Sequence, residues 1–389
     1  MLPSSTTNRI ATLDEYDLLH TMIGAGRRLE DVLPAAETGD YLVILEGADP
    51  GKVVEIGEDP LTIGRDARQT IVFATDSEVS RLHARVLRRN NEIVAEDAGS
   101  TNGTFVGPER LTADPTVLRE GDVLRVGRQL LKYERRSRRD VDRATKLNRD
   151  LLKASNYVLS LLPAPLATGP VRVSWRFVPS AQLGGDAFGY YWLTPETFVF
   201  YLMDVSGHGV GAAMHSVAVM NILRQRALPG VDFESPSQVL SSLNDRFQMS
   251  SHNDMYFTLW YGVYNTRTRT LRHGAGGHHP AYMVDAARER TQPVGDSDII
   301  IGAMPDQPYQ SQTTFVPVGS SLYVFSDGVC EVATKDGEMR GLSDLVPLLA
   351  QKPLENVTEP ERLYRAVNES AATPGELDDD FSLMVLTFE

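Results

Sequence analysis

One cysteine, Cys330, stands in a chain of 389 residues. That single thiol excludes an intramolecular disulfide framework and any multi-thiolate zinc site, and it suits a reducing compartment. It reads as a small buried hydrophobe. An excess of positive charge is also missing: 38 Lys+Arg against 52 Asp+Glu give a formal net charge of -14. This argues against a general nucleic-acid or acidic-membrane binder, because phosphate-lined surfaces select basic partners. No apolar run is long enough to cross a bilayer, and MLPSSTTNRI lacks a basic segment followed by an apolar stretch. The expectation is a cytoplasmic protein that binds neither nucleic acid nor membrane. Internal repeats and low-complexity tracts are absent too.

What remains is ordinary globular material, with 42% hydrophobic and 23% charged residues. The length favours two or three domains, each able to bury a core. Over residues 1–38, Leu13, Tyr16, Leu19, Met22 and Ile23 fall at helical spacings, which predicts an N-terminal helical extension. Residues 39–134 hold short β-type runs separated by Gly, Pro, Asn and Asp turns, the texture of an all-β sandwich or barrel. Over 135–165, Ala144, Leu147, Leu151, Ala154, Val158 and Leu161 recur at steps of three and four until Pro163 and Pro165 intervene. That seam predicts a helical linker, either lying on a neighbour or pairing as a dimeric coiled coil. The basic run RRSRRD at 135–140 reads as a solvated linker, with docking as the alternative. From 166 to 389 strand-like and helical stretches alternate, predicting an α/β domain with layered sheets. There Ser235 and Pro236 mark a helix start as N-cap and first helical residue.

Three motifs fall in the β region: IGRD at 63–66, SRLHA at 80–84 and GSTNGTFVG at 99–107. They offer two guanidinium groups, hydroxyls and a Thr-Asn-Gly turn. Charge-assisted bonds from Arg and hydroxyl donors are what a phosphoryl group requires, and an Asn amide can pair with a peptide main chain. Turn chemistry alone explains Asn102 with Gly103 but not Arg65 with Ser80. Over roughly 95 residues this segment resembles the forkhead-associated (FHA) family, with the three motifs in that family's order. The resemblance implies that Arg65 and Ser80 hold the phosphate of a phosphothreonine, that Arg81 and Thr101 flank it, and that Asn102 clamps the peptide backbone. Gly64, His83 and Gly103 match positions that shape and brace the loops.

Four acidic motifs lie in the last region: LGGDAFG with Asp186, MDVSGHG with Asp204, FSDGVCE with Asp327, and DDDFSLMVL with Asp378, Asp379 and Asp380. Carboxylates converging from strand ends make a hard-oxygen site suited to Mn²⁺ or Mg²⁺ rather than zinc. Two such ions lower the pKa of a water between them and stabilise both oxygens of an in-line displacement at phosphorus. With SLLPAP, FTLWYGV and GGHHP, these motifs resemble the PPM-type metal-dependent phosphatases of the SpoIIE branch over roughly 220 residues. The resemblance implies an α-β-β-α layered sandwich holding two metals. Asp204 would bridge both, Asp186 would ligate one, and the Val205 carbonyl, Asp327 and Asp379 would complete the set. Asp379 stands three positions before Ser382, as the family's terminal ligand does before its Ser/Thr; a one-residue slip would substitute Asp378 or Asp380. Val205 replaces the glycine usual in eukaryotic relatives, where only the carbonyl matters. Gly207 and Gly209 suit a tight strand-to-helix turn. His208 is expected to pack at a helix start, with a general acid as the alternative, and His278 and His279 to be hairpin or loop residues rather than metal ligands, since adjacent residues diverge in extended structure.

The sequence therefore predicts a multidomain metal-dependent phosphoserine/phosphothreonine phosphatase with an FHA module, acting downstream of a Ser/Thr kinase. Its expected partners are a phosphothreonine-containing protein, a phosphoprotein substrate, by family analogy a STAS-type anti-anti-sigma protein, and a second copy joined through residues 144–161. The alternatives are an inactive scaffold that only binds phosphopeptides, and a phosphatase of small esters.

Overall fold

The computed structural model describes residues 38–47, 50–373, 375 and 377–389. The helical pattern around Leu13–Ile23 lies outside them. The chain divides into two compact units with the boundary at Asn148/Arg149.

In the first unit, runs with alternating apolar side chains form two sheets. One is built around Thr38–Glu46, which pairs antiparallel with Gln129–Ser137. The other centres on Leu61–Gly64, Ala84–Arg89 and Glu92–Asp97. Leu42, Ile44, Ile63, Val86, Ala95, Leu124 and Leu131 fill the space between them, so this unit is a β-sandwich as expected.

The basic run at 135–140 does not form a solvated linker. Arg135 and Arg136 continue the long strand opposite Asp40 and Gly39, and Arg135, Arg136 and Arg138 make ion pairs with Asp40, Glu134 and Glu55. Helix α1, Arg138–Leu161, follows at once and buries none of its residues. Leu147 on its apolar seam is 60% exposed.

In the second unit, one sheet orders Ala187–Thr194, Thr197–Val205, Phe257–Asn265, Thr270–Gly276 and Ser297–Asp298. The other orders Val171–Val178, Phe381–Phe388, Ser321–Phe325, Ala281–Val284 and Thr291–Val294. Phe188, Phe200, Leu202, Trp260, Val324, Met384 and Leu386 pack between the sheets. Helices α2, Val210–Gln225, and α3, Pro236–Arg246, cover the outer face of the first sheet through Val219, Leu223, Val239, Leu240 and Leu243. Helices α4, Leu342–Leu349, and α5, Glu359–Ser370, cover the second through Leu345, Leu349, Leu363 and Val367. The result is the α-β-β-α layering read from the sequence, and it explains why the central strands are near-continuous apolar runs: each is buried on both faces. Ser235 occupies the N-cap of α3 with Pro236 following, although its hydroxyl makes no cap bond. Cys330 is buried among Phe325, Val329 and Leu345.

Candidate functional sites

The three loops of the β unit are tied together by one buried histidine. The Ser80 N–H donates to His83 Nδ1 at 3.0 Å, which makes Nε2 the protonated nitrogen, and Nε2 donates to the Gly103 carbonyl at 3.1 Å. His83 N–H in turn donates to the Ile63 carbonyl, and Arg65 N–H to the Ser80 carbonyl. Gly64 is required by close approach, since a Cβ there would collide with the Arg81 carbonyl oxygen.

Ser80 Oγ accepts from the Thr101 N–H at 3.1 Å, and Asn102 Nδ2 donates to the Glu78 carbonyl at 2.9 Å. The turn that carries them is braced by Asp97, which accepts from Gly99, Ser100 and Thr104. Burial pushes the Asp97 carboxyl up, but these bonds outweigh it and hold the group below its ordinary value. Arg65, Arg81, Thr101 and Asn102 are exposed. Asp66 is occupied by Arg68, and the Arg65 guanidinium has no hydrogen-bond or ion-pair partner among the described residues. The structure thus brings Arg65, Ser80, Arg81, Thr101 and Asn102 to one end of the sandwich as a cationic, hydroxyl-bearing surface.

In the α/β unit the acidic motifs meet at one edge. Strand Thr197–Val205 is buried at every residue except Asp204, which interrupts the pattern one position before its end. Asp186 stands just before strand Ala187–Thr194, Asp327 just after Ser321–Phe325, and Asp379 and Asp380 just before Phe381–Phe388. Both sheets contribute. Gly185 lets the Asp186 loop close onto the Val205 carbonyl, from which a Cβ at that position would stand only 2.7 Å. Gly207 and Gly209 have φ of +81° and +87°, the left-handed values the turn into α2 needs.

Crowded carboxylates hold their protons. Burial, then the charges of Asp204 and Asp380, push Asp186 well above the usual carboxylate range. Burial, then Asp327, Asp379 and Asp380, raise Asp204 to about 7. Asp379 is raised as well, by burial first and by Asp327 and Asp380, with His208 opposing. The expected packing role for His208 is not what the structure gives: it is exposed and close enough to Asp379 to lower its pKa. His278 and His279 lie in the loop before Ala281–Val284; His278 is buried and His279 half-buried, and both Nε2 atoms are enclosed without a partner among the described residues.

The three consecutive acids have different surroundings. Asp378 is exposed. Asp379 is exposed as well, but its Oδ1 accepts the Asp380 N–H at 2.7 Å and its charge is felt by Asp204 and by Asp327. Asp380, buried, is consumed by the protein itself: Oδ1 accepts from Ser180 N–H and Oγ, and Oδ2 from Asp186 N–H at 3.3 Å. A Cβ at Gly184 would collide with that same Oδ2. Sequence reasoning missed this brace and the Ser326–Ser382 pair behind it, where Ser326 Oγ donates to the Asp380 carbonyl and accepts from Ser382 N–H.

The donor set fits a hard divalent cation. It is all oxygen, and Asp186 Oδ2 and Asp327 Oδ1 are buried without a hydrogen-bond partner. Among the described residues, no three His, Cys, Asp or Glu side chains converge closely enough to hold an ion as they stand. No described helix is long and apolar enough to cross a membrane.

A four-layered sandwich with carboxylates gathered at one edge is the architecture of the PP2C-like, PPM-type phosphatases. The chain superposes on the SiaA-PP2C domain of Pseudomonas aeruginosa with a TM-score of 0.55 and 19% identity, covering 64% of this chain and 98% of that domain. Residues 194–389 match the family model of stage II sporulation protein E (SpoIIE), and residues 61–127 match that of the FHA domain. The chain belongs to the SpoIIE family and carries an FHA domain ahead of the part that defines that membership. Among curated relatives, it is 25% identical over 211 residues to the phosphoserine phosphatase RsbU of Bacillus subtilis, covering 54% of this chain and 61% of RsbU. It is 38% identical over 92 residues to the FHA domain-containing protein FhaB of Mycobacterium tuberculosis, covering 24% of this chain and 54% of FhaB. The match thus spans less than two thirds of either relative.

Proposed function

We propose that the chain is a metal-dependent phosphoserine/phosphothreonine protein phosphatase whose FHA domain reads phosphothreonine. The carrying observation is the meeting of Asp186, Asp204, Asp327 and Asp379 at one edge built by both sheets, with two buried carboxylate oxygens left unpaired. In this role Asp186, Asp204, Asp327, Asp379 and the Val205 carbonyl would hold the cations, with Asp204 shared between two of them, Asp186 and Val205 serving one, and Asp327 and Asp379 completing the set. Oxygen donors of this kind suit Mn²⁺ or Mg²⁺. When bound, such ions supply an activated water and neutralise charge developing on the phosphoryl group. The protein's own part is to hold the carboxylates in place: Asp380 fastens the Asp186 loop, and the two glycines after Asp204 aim its strand end.

In the FHA domain Arg65 and Ser80 hold the phosphate, Arg81 and Thr101 flank it, and Asn102 exchanges the Glu78 carbonyl for the peptide main chain. Supporting this are the hydrogen bond joining Ser80 to Thr101 and the Arg65 guanidinium, which has no partner among the described residues. The working division keeps FHA at 39–134, linker at 135–165 and phosphatase at 166–389, with the last FHA strand running on through Ser137 before the helix begins. The proposed setting is a cytoplasmic partner-switching pathway with an upstream Ser/Thr kinase, a STAS-type phosphoprotein substrate and dimerisation through residues 144–161, none of which is buried.

Hydrolysis of p-nitrophenyl phosphate and of a phosphoprotein, with and without Mn²⁺, tests the proposal in wild type and Asp204→Asn. Metal-dependent turnover lost in the variant is expected. Turnover indifferent to metal or to the substitution overturns the site, and no turnover under any condition points to a phosphopeptide-binding scaffold.

A further inference from the structure

We propose that Arg110 and Arg125 form a second anion-reading row beside the phosphothreonine site, so that the FHA domain prefers peptides carrying a further negative group, a carboxylate or a second phosphoryl, within about three residues of the phosphothreonine. The proposal rests on the phosphothreonine reading argued above and adds the kind of sequence the domain selects.

Asn102, assigned to the peptide main chain, is followed by Gly103 at φ +82°. A Cβ on that glycine would collide with Nε and Cζ of Arg110, so the guanidinium lies against the backbone one residue from the clamp. Arg110 stands opposite Phe105 on the neighbouring strand, and Phe105 opposite Arg125 on the next. Direct cross-strand partners share a face of the sheet. Here it is the outer face, since Val106, the next residue along, packs against the core. The Arg125 guanidinium sits over the Phe105 ring, 3.9 Å from its centroid, which holds the cation in the row. Both arginines are exposed, and neither has a carboxylate partner among the described residues.

The acids nearby are spent or turned away. Asp66 is held by Arg68, Glu78 by Arg128, and Asp97 by its own turn. Glu109 stands opposite Val106 and so leaves its strand on the other side from Arg110. Glu46 closes the same row opposite Leu130, two strands and about 10 Å beyond Arg125. A phosphate held by Arg65 and Ser80 therefore leaves two cations next to the clamped main chain without a counter-charge. Basic flanking residues are repelled there, and acidic ones gain contacts. The planar guanidinium fork matches carboxylate and phosphate oxygens alike, which is why the shared chemistry is a second anion.

The test is fluorescence anisotropy on the full chain with phosphothreonine peptides of equal length. The reference carries alanine on both sides of the phosphothreonine; two others carry glutamate at the three preceding or the three following positions, and a fourth has a second phosphothreonine on the favoured side. One glutamate peptide is expected to bind about tenfold tighter than the reference, with the gain shrinking at high salt. Arg110→Gln, and separately Arg125→Gln, should bring that ratio towards one, and Arg110→Glu should hand the advantage to a lysine-flanked peptide. A larger gain from the second phosphothreonine than from glutamate identifies phosphoryl as the favoured anion, and a smaller one identifies carboxylate. Equal affinity for the reference and every acidic peptide, or a ratio unmoved by all three substitutions, overturns the row while leaving the phosphothreonine site intact. If wild type binds the reference no better than its unphosphorylated form, the phosphothreonine reading itself fails, and the row with it.

Discussion

Asp380 Oδ1 accepts two hydrogen bonds from Ser180, from the N–H at 2.8 Å and from Oγ at 2.9 Å. The root of the strand Phe381–Phe388 is thereby fastened to the loop that presents Asp186. Two adjacent acids consequently have separate tasks: Asp380 holds the loop, and the charge of Asp379 is felt by Asp204 and Asp327.

Asp380→Ala and Asp379→Ala should therefore fail in different ways. The first strands buried donors and is expected to cost about 2–4 kcal/mol of stability. The second should melt within about 1 kcal/mol of wild type yet lose its response to metal. Thermal melts paired with Mn²⁺ titrations check both, and a well-folded Asp380→Ala with unchanged stability would remove its bracing role.

Acid should relieve the strain that the crowded carboxylates place on the metal-free protein. Asp204 is raised to about 7 in the fold against an ordinary 3.8, so the folded state holds a proton that the unfolded state has released. Stability attributable to that proton is fully present below about pH 4 and is lost as pH rises through about 7, a change on the order of 2–4 kcal/mol. Asp186 and Asp379 shift in the same direction. In chelator, Asp204→Asn should be the more stable protein at pH 8, and its advantage in melting temperature over wild type should shrink as the pH is lowered to 5; comparing the two proteins cancels the buried histidines, whose lowered pKa values act in the opposite direction.

Arg65→Ala is expected to weaken phosphothreonine-peptide binding by about 2 kcal/mol or more, since it removes a charge-assisted contact. Basal turnover on a small ester should be unchanged. Fluorescence anisotropy on a phosphothreonine peptide pool measures the first and a colorimetric assay the second; retained binding would move the phosphate site elsewhere.

The seam of α1, with Leu147 60% exposed and Leu151 only half-buried, predicts self-association. Wild type should sediment as a dimer at a concentration where Leu147→Asp combined with Leu151→Asp sediments as a monomer, and identical sedimentation would remove the dimer. A deletion meant to test the linker should spare Arg135 and Arg136, because both belong to the sheet opposite Asp40 and Gly39.

Much of this was legible in the residues because the informative ones sit where local pattern breaks. Asp204 interrupts a wholly apolar run, and Arg65 with Ser80 exceeds what turns need. Asp378, Asp379 and Asp380 were harder to separate, since three identical side chains in a row differ only in what packs against them, and Ser180 and Gly184 are far away in sequence. The basic run at 135–140 misled for a related reason: its partners Asp40 and Glu55 are about eighty to one hundred residues away in sequence, on neighbouring strands of the same sheet, and charge composition alone looks like a linker. His208 followed the same course, its neighbour Asp379 being visible only in the fold.

The strand Phe381–Phe388 lies inside its sheet, between Val171–Val178 and Ser321–Phe325, and Asp379 and Asp380 ride at its root. During synthesis the Asp186 loop, the Asp204 strand and most of the hydrophobic core emerge well before this segment. Until it inserts, the second sheet has an open slot and the acidic edge lacks two members, so long-range pairing must be complete before a catalytic centre exists. On the proposed function, the phosphothreonine-reading module would be complete while the acidic edge still waits for Asp379 and Asp380.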